Sequence, residues 1–185
     1  MLKLKDLYVV FNEGTVDEKV ALNYVNLHLK PGDFVTIIGS NGAGKSTLMN
    51  IISGVLKPDY GTVEIDAVDV THLPEYKRAP MIGRVFQDPM AGTAPSMTIE
   101  ENLALAYARD KRRTLRKGVT AKRRDEFRTY LETLHLGLEN RLSAKVGLLS
   151  GGERQALSLL MATFTKPKVL LLDEHTAALD PARAQ

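Results

Sequence analysis

Leucine and lysine alternate at the start of the chain, LKLKDLYVVF, and a period-two pattern returns in NYVNLHL, where Val25, Leu27 and Leu29 share one face. Both stretches predict half-buried strands. Residues 33–39, DFVTIIG, form an unbroken β-branched and aromatic run, which predicts a strand buried on both faces. A glycine-rich stretch follows, and then Leu48, Ile51, Ile52 and Val55 recur at the spacing of one helix face. The predicted order is strand, glycine loop, helix. After the turn KPDYG, strand spacing resumes in TVEIDAVDV. From about residue 88 to 150 the texture is helical: Thr98 and Glu101 make a capping box before NLALAYA, and Phe127, Tyr130, Leu131 and Leu134 form a stripe ending at Gly137. A last apolar run, VLLL, follows the breaker KPK and delivers Asp173 and Glu174. Strands alternating with helices predict an α/β fold.

Composition narrows the classes. With 185 residues and 44% hydrophobic content, the chain has the length of one domain with a sizeable core. Cysteine is absent, which excludes disulfides, thiol catalysis and cysteine metal sites. The first residues lack the apolar core of a signal peptide, and no apolar run approaches the roughly 20 residues of a spanning helix. The formal charge of +3 conceals a local excess, because residues 109–128 carry ten Lys or Arg against three acids while the rest of the chain is net acidic. Three readings of that stretch stay open: a solvated face, a surface for anionic lipid or a membrane partner, and a nucleic-acid site. The one aromatic among these charges, Phe127, is no interleaved pattern and does not favour nucleic acid.

The first stretch that carries chemistry is GSNGAGKST, residues 39–47, which satisfies the phosphate-loop pattern between a predicted strand and a predicted helix. Gly39, Gly42 and Gly44 allow successive N–H groups to face one point, where the helix dipole adds its positive end. Lys45 then reaches the β- and γ-phosphates, and the Ser46 hydroxyl is placed to ligate Mg²⁺. At the end of the VLLL strand, Asp173 suits the metal, and Glu174 points differently and suits accepting a proton from an attacking water.

A second anion-binding backbone lies about a hundred residues further on. In LLSGGERQ, residues 148–155, Ser150 and Glu153 read as a capping box, and Leu157, Leu160, Met161 and Phe164 as the buried face of the helix. Capping does not explain Gly151 and Gly152. Glycine in a first helical turn costs up to about 1 kcal/mol relative to alanine, so the pair points to something approaching the backbone.

In this order GSNGAGKST, Gln87 in VFQDP, LSGGERQ, VLLLDE and AALD resemble the motifs of ATP-binding cassette (ABC) ATPases, and the resemblance covers nearly the whole chain. It implies a RecA-like P-loop core with a mostly parallel sheet, an N-terminal antiparallel β subdomain, and a helical subdomain inserted at about 88–150, all within one ATP-binding domain spanning 1–185. It implies ATP and Mg²⁺ as cofactors. The nucleotide would be held by the whole loop, from Gly39 and Ser40 through Asn41, Gly42, Ala43, Gly44 and Lys45 to Ser46 and Thr47. In the family two cassettes pack head to tail. By that resemblance Ser150, Gly151 and Gly152 bind the γ-phosphate of ATP held by a second copy, and Asp180 lies at the dimer seam. Gln87 matches the glutamine that senses the metal and the water, so Glu174, Gln87 and Lys45 form the implied catalytic set and Ser46, Gln87 and Asp173 the metal set. Phe11, with Tyr8 second, matches the aromatic that stacks on adenine.

The resemblance also departs from the family. His175 stands where proline is more usual, and the family's switch histidine follows the Walker B acids by roughly thirty residues, whereas this chain stops at Gln185. None of His28, His72, His135 and His175 stands there, so the chain resembles a cassette lacking its last strands, with binding expected to survive better than turnover. Two functions compare. The first is the motor subunit of a transporter at the cytoplasmic face of the membrane, peripheral, working with a second cassette, an integral permease and an extracytoplasmic solute-binding protein, and with no nucleic acid. The alternative is a soluble non-transport ABC ATPase, but 105 residues between Lys45 and Ser150 leave no room for a long coiled coil. KVGLLSGGERQAL with LLLDEHTAALDP is similar to ATPases of bacterial uptake systems for amino-acid-like solutes.

Overall fold

The computed structural model describes residues 1–111 and 117–173. The chain falls into two compact units, Met1–Ile82 and from Gly83 onward. In the first, β1 (Leu2–Phe11) pairs antiparallel with β2 (Lys19–Leu29) and with β3 (Tyr60–Ile65), and β4 (Val68–Asp69) closes a sheet of order β2-β1-β3-β4. Leu2 and Leu4 are buried while Lys3 and Lys5 are exposed, as the alternation requires. Leu7 would fall on the wrong face three residues later. A register shift between Leu4 and Leu7, with Asp6 at φ 50°, restores it to the core. The Asn26 side chain holds this bulge: its Oδ1 accepts from the Asp6 N–H at 2.9 Å and its Nδ2 donates to the Asp6 carboxylate at 3.0 Å.

Helix α1 (Lys45–Ser53) buries Leu48, Ile51 and Ile52 in the core of this unit. Each such side chain contributes about 1.5–3 kcal/mol. Val55, expected on the same stripe, is 49% exposed, because Gly54 adopts φ 86° and ends the helix before it. The fully buried Arg78, in α2 (Glu75–Arg78), caps that end. Its guanidinium donates to the carbonyls of Ile51 at 2.7 Å, Ile52 at 2.9 Å, Thr71 at 2.9 Å and Leu73 at 2.9 Å. A Cβ on Gly54 would lie 2.8 Å from Arg78 Nε, so glycine serves both the left-handed turn and the space beneath the arginine.

The expected strand over residues 33–39 is not formed. Residues 33–40 carry no ladder pairing among the described residues, and Phe34 and Ile38 are 83% and 91% exposed. A strand buried on both faces depends on neighbours on either side, and hydrophobic content alone cannot supply them.

In the second unit β5 (Ile82–Val85), whose first residue is counted with the first unit, pairs with β6 (Val169–Leu172) as a small parallel sheet. Between them α3 (Ile99–Tyr107), α4 (Ala121–Glu132) and α5 (Gly151–Thr163) enclose a core around Leu103, Phe127, Leu131, Leu138 and Leu157. The stripe expected in α4 is observed at Phe127 and Leu131, with Leu134 packed at its margin just past the helix, whereas Tyr130 is 45% exposed. The fold is α/β, with an antiparallel N-terminal sheet and parallel pairing restricted to β5–β6 among the described residues.

Candidate functional site

In the first unit the chain from Gly39 to Thr47 forms a loop that enters α1. Gly42 (φ 80°) and Gly44 (φ 86°) take left-handed conformations open to glycine, and the turn is closed by Ala43 N–H donating to the Ser40 carbonyl at 3.1 Å. Gly44 is the N-cap of α1 and brings no side-chain acceptor, and no acid lies in the first turn. The first intrahelical N–H is that of Leu48, donating to Gly44 at 2.8 Å. The amides of Lys45, Ser46 and Thr47 therefore have no acceptor within the helix, which fits an anion at this point. The Lys45 ammonium folds back on the loop, donating to the carbonyls of Gly39 at 2.7 Å and Ser40 at 3.0 Å. Its charge is thus already held at the mouth of the loop. Ser46 and Asn41 are exposed.

Strand β2 lies against this loop. A Cβ on Gly44 would collide with the Ala21 carbonyl, and one on Gly42 would lie 3.0 Å from the Lys19 ammonium. Lys19 pairs across the hairpin with Phe11, which is 38% exposed at the end of β1. Tyr8, the second choice for an adenine platform, lies in a ring cluster, 5.2 Å from Tyr24, which in turn is 6.2 Å from Tyr60. Sequence reading passed over Lys19. The hairpin register that sets it beside the loop depends on bulges in β1 that no periodicity announces.

In the second unit Gln87 follows β5 by two residues and is exposed, and Asp173 directly follows β6. Asp173 N–H donates to the Val85 carbonyl at 3.1 Å, so both residues emerge from the same end of the parallel pair. Gly83 in β5 has no room for a side chain, since a Cβ would come within 2.6 Å of the Ala162 carbonyl of α5. Among the described residues no cluster of three His, Asp or Glu forms a metal site. Glu174, His175 and Asp180 lie outside the described residues.

The head of α5 is held by several separate devices. The segment before it is stitched to the start of α3 by Ile99 N–H to Ala144 at 3.0 Å, Val146 N–H to Met97 at 3.0 Å and Gly147 N–H to Pro95 at 2.9 Å. Arg154 reaches back from α5 to the carbonyls of Leu149 at 2.8 Å and Gly147 at 3.2 Å. The capping box is complete: Glu153 N–H donates to Ser150 Oγ at 3.2 Å, and the Glu153 carboxylate accepts from Ser150 N–H at 2.7 Å. Arg141 adds an ion pair to Glu153 at 2.7 Å. The Ser150 N–H bond, with the hydroxyl and Arg141, holds the Glu153 carboxyl below its ordinary range against the opposing effect of burial. Ser150 and Gly151 stand exposed, and a Cβ on Gly151 would meet nothing within 4 Å. Nothing in the packing of the described residues requires glycine there.

Residues 112–116 of the basic stretch lie outside the described residues, and among the rest four cations have partners within the chain. Lys111 Nζ lies 3.0 Å from the Tyr107 ring centroid, Arg123 donates to the Gly118 carbonyl at 2.6 Å, Arg124 pairs with Glu100 at 2.8 Å and Arg128 with Asp125 at 3.2 Å. This favours the solvated-face reading.

Comparison with known proteins adds an independent line. A family profile described as ABC transporter matches residues 22–177. The chain is 48% identical over 181 residues to the tyrosine transport ATP-binding protein of Clostridioides difficile (strain R20291), spanning 98% of this chain and 72% of that protein. It is 38% identical over 165 residues to the methionine import ATP-binding protein MetN of Sodalis glossinidius (strain morsitans), 88% of this chain and 45% of that protein. A dimeric ATP-binding cassette solved in a post-hydrolysis state with ADP and Pi matches with a TM-score of 0.80 at 34% identity, covering 98% of this chain and 77% of that one.

Proposed function

This chain belongs to the ABC transporter family as an ABC-type ATPase, and from that premise we propose that it is the ATP-binding subunit powering uptake of amino-acid-like solutes through a membrane permease. The relatives named for tyrosine and methionine transport support the solute class. Residues 1–185 then act as one cassette with a helical insertion at about 88–150, peripheral on the cytoplasmic side, paired with a second cassette and served by an extracytoplasmic solute-binding protein. Among the described residues no helix is long and apolar enough to cross a membrane.

The polyphosphate of ATP sits on the free amides of Lys45, Ser46 and Thr47, with the remaining loop residues, from Gly39 to Gly44, closing around it. Lys45 exchanges its two loop carbonyls for phosphate oxygens. Phe11 offers its exposed ring to adenine. Ser46, Gln87 and Asp173 would hold Mg²⁺, which when bound supplies positive charge to the phosphates. Glu174 orients the attacking water and accepts its proton, with Gln87 as the sensor of that water. Ser150, Gly151 and Gly152 meet the γ-phosphate of ATP on a partner cassette, and Asp180 lines the seam.

The observation that carries this reading is the head of α5: rigidly held from behind, open in front, and headed by a glycine for which the chain itself has no use. Leu148, 75% exposed two residues before Ser150, extends the same open surface. The test is Ser150→Arg. ATP binding by the monomer should stay within about twofold of the parent while ATP-driven dimerisation, read by size-exclusion chromatography with light scattering, is lost. Loss of monomer affinity would place Ser150 in its own chain's nucleotide site and end the shared-site reading.

A further inference from the structure

Strand β2 begins at Lys19, opposite Phe11, and residues directly opposite in a ladder project from the same face. The Lys19 ammonium therefore leaves the hairpin on the side of the Phe11 ring. It ends at the middle of the phosphate loop, where a Cβ grown on Gly42 would lie 3.0 Å from it. Lys19 is exposed, and its side chain makes no hydrogen bond or ion pair among the described residues. Lys45 differs. Two of its three ammonium donors are committed to loop carbonyls, which leaves one for a ligand unless those bonds are exchanged.

We propose that Lys19 is a second phosphate-binding cation of the nucleotide site, supplied by β2 and not by the loop. The inference rests on the nucleotide reading given above and adds to it a residue outside the phosphate-loop pattern. The chemistry is that of a compact, strongly hydrated point charge on a flexible stem, suited to a phosphate oxygen and indifferent to its exact angle. Its place between the Phe11 ring and Gly42 is between the expected positions of base and phosphates, so its contact is with the polyphosphate and not with the purine. Glycine at position 42 suits φ 80° and also leaves open the space in which the Lys19 ammonium lies.

The test measures binding of ATP, ADP and adenosine to the 185-residue chain and to Lys19→Gln, Lys19→Arg and Lys45→Ala, using calorimetry for the nucleotides and ligand-observed NMR for adenosine. Lys19→Gln should weaken ATP and ADP by about five- to twentyfold, the effect of one exposed charge-assisted bond, and leave adenosine unchanged. Lys19→Arg should recover most of the loss. Unaltered ATP affinity in Lys19→Gln, with Lys45→Ala impaired, would overturn the inference and leave the nucleotide site standing. An equal loss for adenosine would also overturn it, because the lysine would then act through the hairpin. A parent chain that binds none of the nucleotides would overturn the underlying reading itself.

Discussion

At Gly44 two demands meet in one residue. Its φ of 86° suits glycine, and a methyl group there would strike the Ala21 carbonyl, which belongs to a paired strand and cannot easily retreat. Gly44→Ala should therefore lose ATP binding by more than tenfold and lower stability by about 1–3 kcal/mol, checked by nucleotide titration and a thermal melt of the same sample. Parent-like affinity would mean that the loop reshapes without β2. Residues such as Gly42, Gly44 and Lys45 were legible in the sequence because their spacing alone encodes a local backbone shape. Lys19 and Arg78 were not. Each acts through a neighbour distant in sequence, and neither register nor burial of a charged side chain is written in periodicity.

Among the elements, α3 and α5 start on the capping boxes that Thr98 with Glu101, and Ser150 with Glu153, announced. Helix α1 was legible on its buried face and misread at its end, because a stripe of apolar residues runs past a glycine stop without marking it. The two capping carboxylates have a common consequence for pH. Glu101 is held below its ordinary value of 4.5 by the Thr98 N–H and hydroxyl, and Glu153 below the same value by the Ser150 N–H and then by the hydroxyl and Arg141. A carboxyl with a depressed native pKa binds fewer protons in the folded chain than in the unfolded one, so stability rises with pH through that window. The contribution is complete above about pH 5 and drains away as pH falls below 4.5 toward the native values. Melting temperatures followed from about pH 6 to pH 3 should fall less steeply in the double variant Glu101→Gln, Glu153→Gln than in the parent. Identical slopes would assign the acid sensitivity to other groups.

For the whole molecule, the α/β class and the helical texture between the two glycine-bearing motifs were readable, because long periodic segments report their own packing. The strand expected over 33–39 was not formed, since strand character depends on partners that the segment itself does not carry. Its exposed Phe34, Val35, Ile37 and Ile38 combine high strand propensity with unpaired backbone. At concentrations above those at which it is monomeric, the chain should self-associate through this segment without nucleotide, seen as ATP-independent, concentration-dependent light scattering, and Phe34→Asp with Ile38→Lys should suppress it; undiminished scattering would locate the contact elsewhere.

The first residues of β2 act as a roof over the bend that precedes α1, with the Ala21 peptide oxygen resting where the bend has no side chain. Anion capture is consequently only as durable as that roof. Fraying at the start of β2 would disarm the loop while every helix remained intact, which makes the sheet's outer strand the fuse of the phosphate grip.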